Sequence, residues 1–333
     1  MLRLANPTQS DRVIDPACGA GDLLIAAGLV AAEYDGKSTL SELHGVDVDA
    51  AMTKACKKAM TPRRWSAAIT CDDSLLGLRK YENKYTLTVC NPPWGSRLVE
   101  RRPSVLRFFS LGTTAYRGRR KPKDSAEVGL LFAELCLRSL APGGRAAMIL
   151  PNGYLGNRSE RYVEFRRWLL SHARVVAVVG FPRFVFKRSG ADVSASAVVF
   201  ERRPQPLQEL SPCERYPIYC ALVDRVGWTL EGRGERPLYR LDEHGRIERD
   251  GKGEPVLDSD LNEVVGTLSS SDTAKAFPWL RARKAASQQN CSTTSADVIG
   301  RADLSLDPKR WCEKHVRVRN AVRSVPHFQL GSV

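Results

Sequence analysis

Arg12-Val13-Ile14-Asp15-Pro16-Ala17-Cys18-Gly19-Ala20-Gly21 is the stretch from which the fold can be read. Three residues of a short buried strand run into an Asp-Pro pair, which breaks the strand because proline has no N–H to give to a ladder. Glycines at 19 and 21 then allow a tight turn, and the apolar run from Leu23 to about Glu33 reads as a helix. A strand, a Gly-rich turn and a helix in that order form the opening of a parallel α/β sheet, with helix N-terminal N–H groups at its ligand-binding edge. A two-glycine turn is common, so its meaning depends on what the following strands bring beside it.

Three further strands end in the same manner. His44 to Val48 carries Asp47 and precedes a helix from Ala50 to Met60, Ala67 to Cys71 ends at Asp72-Asp73, and Tyr85 to Cys90, rich in β-branched residues, ends at Asn91. Four strands thus deliver Asp15, Asp47, Asp73 and Asn91 at their C-terminal ends, the edge where open α/β sheets hold ligands. Asp47 stands 26 residues after Gly21, where a carboxylate in a nucleotide-binding sheet holds ribose hydroxyls. Asp73 is placed to accept from an exocyclic amine such as that of adenine. Each aspartate alone reads as a surface or capping carboxylate, but together they point to a nucleoside-containing cofactor.

Asn91-Pro92-Pro93-Trp94 carries the more specific chemistry. Two prolines stiffen the turn, so the Asn91 side-chain oxygen and the Pro92 carbonyl can aim at one point. Two acceptors on an NH₂ group draw its lone pair out of conjugation, which makes a planar amine nucleophilic towards a sulfonium methyl. Trp94 offers a flat face to a base flipped out of a duplex.

Further along, a helix from Ala126 to Leu140 stops at Pro142-Gly143-Gly144, strand five is Ala146 to Leu150, and a helix from Glu160 to Ser171 leads to strand six, Val175 to Val179. Strand seven, Ser194 to Phe200, follows so closely that it should enter antiparallel, since a parallel return needs a longer crossover. Between these elements and the Asn-Pro-Pro-Trp stretch, Arg97 to Lys123 carries nine Arg or Lys against one acid, Glu100, and reads as a loop that is either solvated or in contact with phosphates. The expected organisation is a catalytic domain over 1–203 and an extension over 204–333, which opens with Pro204, Pro206, Pro212 and Pro217.

Composition agrees with a globular protein that meets a polyanion. The 333 residues are 43% hydrophobic and carry a formal net charge of +14. Nine cysteines form no CxxC pair, so no metal site is expected and the thiols read as reduced and buried. The N-terminus has no signal-peptide pattern and the longest apolar run is too short to span a bilayer. A cytoplasmic protein with no membrane partner is therefore expected.

The turn Asp15 to Gly21 followed by Asn91-Pro92-Pro93-Trp94 resembles the amino-group DNA methyltransferases, in particular the adenine-N6 modification subunits of type I restriction systems and related fused type II enzymes. The resemblance extends to Pro142 to Arg145, Leu150 to Gly153, Phe184 to Phe186, and Ser194 to Val199, and continues over Pro237 to Asp258 and Leu306-Asp307-Pro308. It implies a Rossmann-like, S-adenosylmethionine-dependent fold with a seven-stranded, mostly parallel sheet and an antiparallel last strand. It also implies that Asp15, Gly19 and Gly21, with Ala17 and Cys18 in the same turn, hold the methionine part of S-adenosylmethionine. Asp47 would take the ribose and Asp73 the adenine. Asn91, Pro92, Pro93 and Trp94 would hold the target base, with Phe186 on its other face. With the cofactor turn ahead of the Asn-Pro-Pro-Trp stretch, the implied target is adenine N6 in double-stranded DNA. The implied partner is a specificity subunit or fused target-recognition domain.

Members of the family usually carry a segment before the first strand that closes the cofactor site, and Phe328 to Val333 looks like the opening of a recognition domain. A core trimmed at both ends is the expectation. A protein-glutamine methyltransferase is an alternative with the same chemistry, although the residues after the sheet and the positive charge favour DNA. A further alternative is an inactive remnant that binds DNA or a specificity subunit.

Overall fold

A computed structural model describes residues 1–35, 42–63, 65–189, 193–231, 234–270, 272–280 and 291–312. The expectation for Phe328 to Val333 lies outside the described residues. Among the described residues nine strands form one sheet: β1 (Arg12–Asp15), β2 (Glu42–Asp47), β3 (Ala67–Cys71), β4 (Tyr85–Cys90), β5 (Leu140–Pro151), β6 (Ala173–Gly180), β7 (Ala195–Arg202), β8 (Pro217–Leu222) and β9 (Cys291–Thr294). Their spatial order is β9-β8-β6-β7-β5-β4-β1-β2-β3. The first five strands run parallel, and β7 lies antiparallel between β5 and β6. These are the seven strands expected from the sequence, with the expected antiparallel member.

The sheet's middle is apolar on both faces. Residues 146–151 of β5, all of β6 except Arg174, and β7 as far as Glu201 are buried, as continuous Val, Ala and Ile runs require when helices cover both sides. The flanking helices are α1 (Asp22–Asp35), α2 (Ala50–Met60), α3 (Val128–Ser139) and α4 (Glu160–His172). α2 starts where Asp49 caps it, its carboxylate accepting the N–H groups of Ala51 at 2.7 Å and Met52 at 3.2 Å. α3 is buried on nearly every side, including Glu134, whose carboxylate accepts the N–H groups of Ser110 and Leu111 at 2.7 and 2.8 Å.

Beyond residue 203 the chain adds to the same sheet. β8 pairs parallel to β6 and β9 pairs antiparallel to β8. The fully buried Arg166 of α4 donates to the carbonyls of Tyr154, Asn157 and Asp303 at 2.7 to 3.0 Å and so fastens the chain near residue 303 to the core. Leu2, Leu4 and Ala5 of the N-terminal turn are buried too, and Asn6 Nδ2 donates to the Trp279 carbonyl at 2.6 Å.

The segment 97–123 is more ordered than its broken periodicity suggests. Val99–Glu100 pairs with Ala126–Glu127, Pro103–Leu106 is a helical turn, and Thr113–Tyr116 forms a hairpin with Arg119–Pro122. The cysteines also depart from expectation at two places: Cys71 and Cys213 are exposed, whereas Cys18, Cys56, Cys90, Cys136, Cys220 and Cys312 are buried.

Candidate active site

The turn after β1 is built on Asp15. Its side chain is buried, and Oδ1 accepts the Ala17 N–H at 3.0 Å, which bends the chain around Pro16. Burial, with like-charged Asp47 nearby, pushes its pKa up to about 8. The Cys18 N–H donates to the Val46 carbonyl at 2.9 Å and the Gly19 N–H to Asp47 Oδ2 at 2.8 Å, so the turn is tied to the end of β2. Gly21 is required twice over: its φ is +95°, and a Cβ there would stand 2.6 Å from Cys56 Sγ. Asp47 Oδ1 accepts the Asp49 N–H at 2.9 Å, and each of its oxygens retains a lone pair for a ligand.

Asp73 is held from two sides. Oδ1 accepts the Leu75 N–H at 3.0 Å, and Oδ2 accepts from Arg102 Nη2 at 2.7 Å. Arg102 also chelates Glu100, whose carboxylate accepts the backbone N–H groups of Arg101 and Arg102 as well. This guanidinium holds the Glu100 carboxyl below its ordinary range, and the two acids hold Arg102 protonated. The pairing joins the segment after the Asn-Pro-Pro-Trp stretch to the end of β3.

Asn91 is exposed at the end of β4 and Pro92 is buried behind it. Trp94 Nε1 donates to Asn91 Oδ1 at 3.3 Å, so the indole occupies the acceptor that the sequence reading assigns to an amine. Trp94 meets Phe186 edge to face, with centroids 6.0 Å apart and planes at 78°, and Phe186 meets Phe181 in the same manner at 6.2 Å. The two rings therefore do not stand as parallel plates, and a flat ligand between them needs one ring to turn. Behind Trp94 lies Gly129 of α3. A Cβ there would be 3.0 Å from Trp94 Cβ and 2.6 Å from Tyr154 Oη.

A cavity of about 590 Å³ brings the two halves together. Ala17, Asp47 and Asp73 share its walls with Asn91, Pro92, Pro93, Trp94 and Phe186, while Val48, Leu75, Val128 and Phe132 supply apolar surface. Asp15, Cys18, Gly19 and Gly21 are not on its walls and form the turn behind. Arg102 and Gly129 were missed in the sequence. The signal for Arg102 was the lone acid Glu100 in a basic run, whereas nothing local marks Gly129. Among the described residues no group of three or more His, Cys, Asp and Glu could hold a metal ion. Nor, among them, is any helix long and apolar enough to cross a membrane.

Sheet order, antiparallel seventh strand and cavity position define the α/β fold of the class I S-adenosylmethionine-dependent methyltransferases. The family model for the N-6 DNA methylases matches residues 1–208, and the chain belongs to that family. The methylase subunit of the type I restriction enzyme EcoEI from Escherichia coli is 23% identical over 220 residues, 63% of this chain and 41% of that one. Among solved structures, the methyltransferase subunit of a type I restriction-modification system from Streptococcus thermophilus superposes with a TM-score of 0.58 at 14% identity, over 94% of this chain and 57% of that one. A protein from Vibrio vulnificus described as a type I modification subunit gives 0.51 at 19% identity, over 77% and 57% of the two chains. The chain thus spans about two fifths to three fifths of the length of these relatives. The fold and family imply use of S-adenosylmethionine.

Proposed function

We propose that this chain is the catalytic core of an enzyme that transfers methyl from S-adenosylmethionine to the N6 amino group of adenine in double-stranded DNA. It would serve a restriction-modification or phage-defence system, together with a specificity subunit or a fused target-recognition domain. The observation that carries the proposal is the single cavity in which Asp47 and Asp73 face the same space as Asn91 and Trp94.

The residues fit the cofactor. Two carboxylates on adjacent strand ends, with Val48 and Leu75 on the same walls, suit the hydroxyls, amine and flat ring of a nucleoside. Asp47 would hold the ribose and Asp73 the adenine, with Ala17, Cys18, Gly19 and Gly21 at the methionine end. Asp15 would act through the turn it props up. When bound, the cofactor supplies an electrophilic methyl group on sulfur.

For the target base, Asn91 Oδ1 would release the Trp94 indole and, with the Pro92 carbonyl, accept both N–H groups of the adenine amine. The nitrogen lone pair would form the new N–C bond with the methyl that the cofactor would give up from sulfur, and the positive charge growing on nitrogen would be stabilised by these two fixed acceptors. The surplus proton then passes to water. Trp94 and Phe186 would flank the flipped base, which sets its amine in line for attack.

The test is transfer of labelled methyl to unmethylated duplex, with and without a specificity subunit. Asn91→Ala should abolish transfer while cofactor binding by calorimetry is retained. Turnover by that variant refutes the mechanism, and label found on glutamine of a release factor, with none on DNA, refutes the substrate.

A further inference from the structure

The hairpin Thr113–Tyr116/Arg119–Pro122 has no place in the site, and the core does not explain it. From Thr114 to Pro122 every residue is exposed, so the hairpin has no apolar face to bury. An isolated two-stranded hairpin of that kind is marginal in water. Its root nevertheless is firmly fixed. Lys123 N–H donates to the Gly112 carbonyl at 2.9 Å, Arg120 donates to Thr113 Oγ1 at 2.7 Å and the Ser110 carbonyl at 2.6 Å, and Lys123 Nζ pairs with Glu164 at 2.8 Å.

The tip is different. Arg117 and Gly118 form a two-residue turn with φ of +48° and +74°. Asn or Gly suits the first of those positions, and Arg is strained in the left-handed region. Lys121 Nζ lies 4.3 Å and the Arg117 guanidinium 5.3 Å from the centre of the Tyr116 ring, which is 47% exposed. Among the described residues no carboxylate pairs with Arg117, Arg119 or Lys121. Three uncompensated cations gathered on a fixed stalk repel one another, an arrangement that favours a polyanionic partner.

The surface between the hairpin and α4 is also basic. A cavity of about 670 Å³ between the hairpin and α4 is lined by Thr114, Lys123, Arg158, Arg161 and Arg167, with Glu160 and Glu164 as its acids. Arg161 pairs at 2.9 Å with Glu127, the residue before Val128 of the site wall. α4 follows the C-terminal end of β5, which is the edge that carries the site.

We infer that the hairpin Thr113–Pro122 grips the phosphate backbone of duplex DNA through Arg117, Arg119 and Lys121, while Arg120 only builds the stalk. The inference rests on the DNA reading above and adds to it a surface and a division of labour among adjacent cations.

The test is fluorescence anisotropy of the full chain with an unmethylated mixed-sequence duplex from 50 to 200 mM salt. Each phosphate contact contributes about 0.9 to the slope of log affinity against log salt. R117A/R119A/K121A should therefore flatten the slope by about 2.7, so that this variant loses roughly 40-fold less affinity across the range than wild type. R120Q, which removes the charge and keeps an amide donor for the Ser110 carbonyl, should leave the slope unchanged. Circular dichroism checks that each variant is folded. A triple variant with the wild-type slope, an R120Q slope as flat as the triple's, no duplex binding by wild type at 50 mM salt, or tighter binding to anionic vesicles than to duplex overturns the inference. Methyl transfer separates the two claims: flattening in the triple variant with no transfer by wild type sustains the grip and defeats the proposed activity.

Discussion

Asp15 should make the protein lose stability as pH rises, and the size of the effect follows from its burial. Its carboxyl titrates near 4 in the unfolded chain and is pushed up to about 8 in the fold, where burial and Asp47 disfavour the charge. Between those values the folded state holds a proton that the unfolded state has released. Folding stability from this group is therefore fully present below pH 4, falls by about 1.4 kcal/mol per pH unit, and is flat again above 8. From pH 6 to 8 the loss is roughly 2 to 3 kcal/mol. Asp15→Asn keeps an oxygen for the Ala17 N–H and removes the titration. Urea unfolding of both proteins at pH 6, 7 and 8 isolates the effect, because groups common to both, such as the half-buried His44 and His172, cancel in the difference. The variant should gain on wild type by those 2 to 3 kcal/mol across the range. A difference constant to within about 0.5 kcal/mol would refute the claim that burial holds Asp15 protonated.

Two further substitutions address the cavity walls. Gly129→Ala would favour the helix by its propensity, yet its Cβ meets Tyr154 Oη and the back of Trp94, so a net loss of about 1 to 3 kcal/mol is expected in thermal unfolding. In transfer assays KM for DNA should rise while cofactor affinity holds; a stabilised variant with unchanged KM would show that Trp94 is not seated on α3. Asp73→Asn leaves no charge to accept from the adenine amine of the cofactor, and loss of a charge-assisted bond to that amine, about 1.5 to 3 kcal/mol, should lower S-adenosylmethionine affinity by calorimetry about 10- to 100-fold. Unchanged affinity would remove Asp73 from the cofactor site.

Much of this arrangement was legible because strand ends repeat a local pattern. An apolar run that stops at Asp15, Asp47, Asp72-Asp73 or Asn91 announces both a parallel strand and the sheet edge where the cavity opens. The antiparallel β7 followed from the short link before it. What escaped depends on distant partners. β8 follows a proline-punctuated stretch, and pairing with the distant β6 and β9 makes it a strand. Arg119–Pro122 shows no alternation because neither of its faces is buried. The pairing of Asp73 with Arg102 joins residues 29 apart and leaves no periodic trace. The same holds for the indole on Asn91 Oδ1, a contact that local spacing permits but does not require.

The strands added by the residues beyond 203 bear on how the protein can be divided. β6 is apolar along nearly its whole length, and β8 covers one side of it. A fragment ending at residue 208, the limit of the family match, would leave Ala173–Gly180 as a bare sheet edge with unpaired N–H and C=O groups and a row of valines. Such an edge is a template for pairing with other chains. Phe277, now fully buried, would be absent, and the carbonyl of Trp279 that receives Asn6 would go with it. Residues 1–208 thus depend on the strands that follow them to cover this edge.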